Sequence, residues 1–177
     1  LEQTDPQVTR LEVSADGEWL VSAHGLSFSP TAFLRNLRLG TTQRLFAGER
    51  VGVPAFSPRE SLLAVVTAPA VVANNSTPRM LRLWNPAQNR LVREWQIPGA
   101  CHRIVFTPDG ENLLTIMLGR VIRWRVADGE QLSVYVPKVA YDFFWAAISP
   151  ACEWVAVPEW GRYHLFNLAN GEQRWGV

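Results

Sequence analysis

Apolar and polar residues alternate along this chain in short runs, each broken by a tight turn. The run Leu62-Leu63-Ala64-Val65-Val66 is continuous and apolar, as is Leu113-Leu114-Thr115-Ile116-Met117. Others alternate, such as Leu81-Arg82-Leu83-Trp84-Asn85 and Val121-Ile122-Arg123-Trp124-Arg125. Period-two alternation and short β-branched runs predict strands; no long 3.6-residue period competes with them.

The runs repeat. Four segments share an apolar residue, a small hydroxyl residue, a turn and an apolar strand: Val13-Ser14-Ala15-Asp16-Gly17, Phe56-Ser57-Pro58-Arg59-Glu60, Phe106-Thr107-Pro108-Asp109-Gly110 and Ile148-Ser149-Pro150-Ala151-Cys152. Their first residues lie 43, 50 and 42 positions apart. Proline presets φ for the first central turn position, and glycine supplies positive φ, so each anchor predicts strand, turn, strand. A second element follows each anchor. Its copies are Phe33 to Gly40, Leu81 to Pro86, Val121 to Glu130 and Tyr163 to Glu172, two of them ending in Asp128-Gly129 or Asn170-Gly171 hairpin signals. The aromatic slot of this element is assigned to Leu37, Trp84, Trp124 and Phe166, followed by Arg38, Asn85, Arg125 and Asn167. Phe28-Ser29-Pro30 also spells the anchor, but it follows Val13 too closely and is read as loop.

Phe-Ser-Pro-(Asp-Gly) followed by Leu-Arg-Leu-Trp-Asn resembles the WD-repeat family, whose blades are four-stranded and about 40–45 residues long. The resemblance implies an all-β, WD-type β-propeller of four four-stranded antiparallel blades, at 8–48, 51–97, 101–137 and 142–177, forming one partial propeller over 1–177. The repeats diverge: the residue after the slot is never Asp, and no Gly-His pair precedes the inner strands. The family's buried Asp–His–Ser/Thr–Trp hydrogen-bond network is therefore expected to be absent.

Four blades make roughly half of the usual seven- or eight-blade ring. Three arrangements follow: blades missing from a longer chain, two copies paired as a homodimer about a two-fold axis, or a tight four-blade ring. The absence of an initiator Met favours the first. An open array would expose the apolar inner faces of its end blades.

Composition narrows function mostly by exclusion. Seventeen basic and sixteen acidic side chains nearly cancel, so no global field draws nucleic acid or an anionic membrane. No apolar run approaches the ~20 residues of a bilayer span. Cys101 and Cys152 show no metal-binding spacing, and two unpaired cysteines favour a reducing, cytoplasmic setting. His24, His102 and His164 are too scattered for a metal site; His164 is read as structural and His102 as a loop residue before an inner strand. There is no nucleophile elbow and no phosphate loop, so neither catalytic residues nor a cofactor is expected.

Eight Trp residues suit a repeated aromatic slot. The 50-residue step of the second repeat reflects an insertion, Pro69 to Pro78, which carries the overlapping glycosylation sequons of Asn74-Asn75-Ser76-Thr77. In the resembling family, loops joining strands two to three and four to one line a single rim. Carried onto this chain, that rim takes in the insertion, Leu118 to Arg120, Trp160 to Arg162, Ala100 to Arg103 and Val139 to Asp142. Exposed Trp, Tyr and Arg are enriched at interaction hot spots, which makes Trp160, Arg162, Tyr141, Arg103 and Arg120 the candidate contacts for a protein partner. The alternative for Trp160 is packing between blades. A non-catalytic protein-interaction scaffold is the leading expectation. One alternative is a quinoprotein-like propeller enzyme or cofactor binder, from the Asn170-Gly171-Glu172-Gln173-Arg174-Trp175 ending; another is a structural half-ring that homodimerises.

Overall fold

The computed structural model describes residues 8–24, 31–70, 74, 77–136, 146–159 and 162–176. They form sixteen strands in four four-stranded antiparallel meanders, with no helix among the described residues. The chain divides into two compact units, Leu1–Gly99 and Ala100–Val177.

The first unit holds two sheets. Sheet 1 is β1 (Val8–Val13), β2 (Trp19–His24), β3 (Thr31–Asn36) and β4 (Thr42–Leu45); sheet 2 is β5 (Glu49–Phe56), β6 (Leu63–Pro69), β7 (Arg79–Asn85) and β8 (Arg90–Ile97). Val21, Ala32, Leu34 and Leu45 of sheet 1 are buried against Val51, Leu63 and Val65 of sheet 2. Phe46 meets Trp84 edge-on at 5.6 Å beside this core. Pro54 is tolerated in β5 because β5 is an edge strand with a bulge between Val51 and Pro54.

The second unit repeats the plan. Sheet 3 is β9 (Cys101–Phe106), β10 (Asn112–Met117), β11 (Arg120–Arg125) and β12 (Gln131–Tyr135); sheet 4 is β13 (Ala147–Ile148), β14 (Trp154–Glu159), β15 (Arg162–Asn167) and β16 (Gln173–Gly176). Leu114, Ile116 and Val121 of sheet 3 share a core with Val155, Val157 and Phe166 of sheet 4. His164 is fully buried, stacks on Phe166 at 5.8 Å, and shares a 3.1 Å hydrogen bond between its Nδ1 and Gln173 Nε2. Its role is structural.

The anchors fold as their residues dictate. In sheet 1 the Ser14 N–H donates to the Trp19 carbonyl (2.9 Å), and Ser14 Oγ accepts from the Trp19 N–H (2.9 Å). Thr107 with Asn112 and Ser149 with Trp154 repeat both bonds. In these three sheets the hydroxyl thus closes the turn that begins the inner hairpin; in sheet 2 the Ser57 Oγ accepts instead from the Arg59 and Glu60 N–H groups. The positive-φ position is Gly17 (71°), Gly110 (76°) and Cys152 (55°), and Cys152 uses that backbone to bury its thiol in the unit's core. In sheets 1, 3 and 4 the first turn is also bonded to the second turn of the same sheet, through Leu37 N–H to Glu18, Val126 N–H to Glu111 and Leu168 N–H to Glu153 carbonyls; in sheet 2 the donor position is Pro86, which has no N–H.

The register corrects the assignment of the first aromatic slot. Leu63 pairs with Trp84, Leu113 with Trp124 and Val155 with Phe166, and in sheet 1 the same rank pairs Leu20 with Arg35. The slot residue is therefore Arg35, not Leu37, and the residue after it is Asn36, not Arg38. Leu37 and Leu39 lie in the following turn, 45% and 67% exposed. Asn36 behaves as a turn residue: its Oδ1 accepts from Leu39 N–H at 2.8 Å, as Asn85 Oδ1 does from Gln88 N–H. Phe28-Ser29-Pro30 and Tyr141 to Trp145 lie outside the described residues.

Candidate functional site

Each sheet has two unlike ends. At one end lie the first and second turns, bonded to each other in sheets 1, 3 and 4 as above. At the other end lie the connection between the second and third strands and the start of the first strand, which is where the rim was expected.

In the first unit this end holds the insertion of the second sheet. Arg79, the first residue of β7, is 1% exposed, and no pattern in the sequence marks it as buried. Its Nη1 donates to the Thr77 carbonyl (2.5 Å) and its Nη2 to the Asn74 carbonyl (3.4 Å). A long cationic side chain thus gathers the carbonyls of Asn74 and Thr77, which no described strand pairs. Burial, with the nearby charge of Arg50 adding to it, lowers its pKa. Asn74 and Thr77 close the loop on themselves, Thr77 Oγ1 accepting from Asn74 N–H and donating to Asn74 Oδ1. Below, Arg82 Nη1 reaches Glu49 (2.7 Å), its Nε reaches Glu94 (2.8 Å), and its guanidinium lies 4.9 Å from the Phe46 ring centre. The two carboxylates outweigh the desolvation of Arg82 and raise its pKa.

In the second unit the corresponding end carries the Leu118-Gly119 turn, with Leu118 54% exposed and Gly119 at φ 68°. Arg120 opens β11 at this end and is exposed. Arg103 is also exposed, but it is the third residue of β9 and pairs with Ile116, so it stands in an inner strand and not in the expected Ala100–Arg103 loop. His102 is likewise within β9. Because Arg120 pairs with Met117 and Arg103 with the adjacent Ile116, the two share one end of sheet 3 but project from opposite faces. Arg162 opens β15 opposite Glu159 and is exposed at that end of sheet 4. Trp160 and Tyr141 lie outside the described residues.

The expected absence of the hydrogen-bond network is corrected in part. In sheet 3, Trp124 Nε1 donates to Thr115 Oγ1 at 2.9 Å, both residues buried. Thr115 sits two residues after Leu113, the cross-strand partner of Trp124, on the same face. In sheet 2 the register puts Val65 at that place, and Trp84 Nε1 is buried with no hydrogen-bond partner among the described residues.

The opposite end offers a shallow cleft of about 120 Å³ between the first turns of sheets 1 and 2, lined by Asp16, Trp19, Phe56, Arg59, Glu60 and Pro86. The Asp16 carboxyl is held below its ordinary range by the Ser14 hydroxyl and the Glu18 N–H. Asp109 is lowered in the same way by Thr107 and the Glu111 N–H. Both are turn residues, as their repeat positions imply. Cys101 and Cys152 are buried thiols that no disulfide joins, and burial pushes the Cys152 pKa up. Among the described residues no three His, Cys, Asp or Glu side chains gather as a metal site, and no helix is long and apolar enough to cross a membrane. In the Asn170 to Trp175 segment, Gly171 takes φ 72° in the turn before β16, which accounts for the glycine by backbone geometry alone.

These meanders define an all-β protein of blade-type repeats, consistent with a partial propeller. No family model matches the chain. Among curated proteins, it is 32% identical over 93 residues to eukaryotic translation initiation factor 3 subunit I of Coccidioides immitis, a match covering 47% of this chain and 27% of that protein. The subunit I of Aspergillus oryzae is 37% identical over 46 residues, covering 26% of this chain and 14% of that protein. That of Aspergillus fumigatus is 34% identical over 71 residues, covering 39% and 21%. The matched stretch thus spans about a quarter, or less, of these relatives.

Proposed function

We propose that this chain is a non-catalytic WD-type scaffold that binds a protein partner through the rim end of its sheets, as part of a multi-subunit assembly of the translation-initiation kind its relatives are named for. The observation that carries this reading is the contrast between the two ends of sheets 3 and 4. At one end a backbone hydrogen bond ties the two turns of the sheet together. The rim end of the second unit instead presents Leu118, Arg120 and Arg162 to solvent, and that of the first unit carries the insertion whose Asn74 and Thr77 carbonyls Arg79 holds. An exposed apolar residue flanked by arginines is the composition of a contact patch. Near-neutral net charge argues for a protein partner over nucleic acid.

The test is affinity capture with the tagged chain from an extract of its source organism, read by quantitative mass spectrometry. Initiation-factor subunits should be enriched with the unmodified chain. Capture should drop at least tenfold with Arg120→Glu plus Arg162→Glu, and persist with Arg93→Glu on the exposed outer strand β8. Undiminished capture by the double variant would refute the rim; absence of initiation-factor subunits would refute the assembly.

A further inference from the structure

The outward face of sheet 1 is unlike the same face of the sheets that follow a neighbour. In sheet 2 that face carries Phe56, Leu63, Val65 and Trp84, which pack against sheet 1. In sheet 4 it carries Val155, Val157 and Phe166, which pack against sheet 3. In sheet 1 the matching ranks are Leu11–Ser22–Phe33–Arg44 and Val13–Leu20–Arg35–Thr42, fixed by register. Leu11 and Val13 are 63% and 50% exposed, and Arg35 and Arg44 are exposed with them. No carboxylate from the described strands of sheet 1 stands on this face; Glu12 projects from the other one.

The chemistry that covers this face is written between sheets 1 and 2. There the Phe56 N–H points off the edge of β5, because the neighbouring Ser57 N–H pairs inward with Leu62. It is met by Glu12 Oε1 from sheet 1 at 3.1 Å. Val13 occupies the Phe56 position of sheet 1. Its N–H points off the edge of β1 in the same way, because the Ser14 N–H pairs inward with Trp19. An outward amide, two arginines and an apolar floor without an acid form one surface.

We infer that this face is a docking surface for a further four-stranded sheet of the same repeat type, one that carries a glutamate at the Glu12 position and delivers its carboxylate to the Val13 N–H. A second copy of this chain does not fit. Docked head to tail, it would present the outward face of sheet 4, where Ala147 stands at the Glu12 position and Arg174 shares its rank. Arg174 is already paired with Glu172. That docking would bring no acid for Arg35 and Arg44 at this rank and would leave the Val13 N–H without a carboxylate.

The probe is the full chain lengthened by a duplicate of its residues 8–50, inserted directly ahead of Val8, so that the added sheet brings its own copy of Glu12. Amide exchange at Val13, followed by NMR, should slow at least tenfold in the lengthened chain. Glu12→Gln in the added copy alone should return most of that protection while the rest of the chain is unchanged. Val13 exchange that does not slow, whether the added sheet folds or not, overturns the inference; slowing that Glu12→Gln leaves intact overturns the carboxylate. Sedimentation velocity of the unmodified chain from about 1 to 100 μM should show a monomer throughout, and a concentration-dependent dimer lost on Leu11→Asp overturns the exclusion of a second copy.

Discussion

Replacing Thr115 with valine removes one hydroxyl from the core of sheet 3 and almost nothing else. Thr115 is fully buried, and its Oγ1 accepts the indole N–H of Trp124 at 2.9 Å. Valine has nearly the same shape, so the cavity is negligible, but the buried Trp124 Nε1 loses its acceptor. A buried donor left unpaired costs about 1–3 kcal/mol, more than the net value of an ordinary hydrogen bond. Thr115→Val should therefore lower stability by about 2 kcal/mol in urea denaturation followed by tryptophan fluorescence, with the slope against denaturant unchanged. Thr115→Ser keeps the acceptor and should lose roughly half as much, through its missing methyl. In a Trp124→Phe background there is no donor to orphan, and Thr115→Val should become nearly neutral, within about 0.5 kcal/mol. Sheet 2 supplies the reverse experiment. Val65→Thr places a hydroxyl where Trp84 Nε1 has no partner among the described residues and should stabilise by about 0.5–1 kcal/mol. Equal losses for Thr115→Val in both backgrounds would refute the argument, since the effect could then not run through the indole.

Arg82→Met should cost about 2 kcal/mol, because it strips Glu49 and Glu94 of their shared cation in a setting where Arg82 is largely buried; the loss, measured by denaturation, should shrink in Glu49→Gln. The Asp109 carboxyl has a folded pKa below its ordinary value, so the stability it contributes is present above about pH 4 and disappears as pH falls through the lower folded value. Asp109→Asn should therefore flatten the acid limb of a melting-temperature profile and leave its slope above pH 5 unchanged. Cys152 is buried with a raised pKa, so iodoacetamide at pH 7.5 should label it at least a hundredfold more slowly in native protein than in guanidinium, as judged by mass spectrometry.

The strands and turns were legible in the sequence because their signals are local. Ser14, Thr107 and Ser149 do in the structure what a hydroxyl before a tight turn can do, and Gly17 and Gly110 occupy the positive-φ sites that their order implied. The first aromatic slot was misplaced for an equally local reason. Phe33, Leu37 and Leu39 continue the spacing past the end of β3, and a shift of two residues keeps every side chain on its face, so periodicity alone cannot choose between Arg35 and Leu37. What chooses is pairing with Leu20, a contact across strands. Arg103 falls in the expected Ala100–Arg103 loop only because the resembling family's fourth-to-first-strand connection is carried onto those residues; β9 accepts it at an exposed position opposite Ile116. The Thr115–Trp124 bond had a readable signal, a threonine two positions past the slot's partner, once the hairpin's register is set. Burial of Arg79 had none, since it depends on how a non-repeating insertion folds.

The central claim is that the rim end of the sheets meets a protein partner, and cross-linking mass spectrometry of the captured complex tests it most directly. Photo-reactive residues placed at Leu118, Arg162 and Thr77, with controls at Leu132 and Arg93 on the outer strands and at Asp16 and Ala127 on the turn end, give every surface an equal chance. The account predicts partner cross-links at the first three positions and none above background at the other four. Cross-links concentrated at Asp16 and Ala127 would place the partner at the turn end and contradict it.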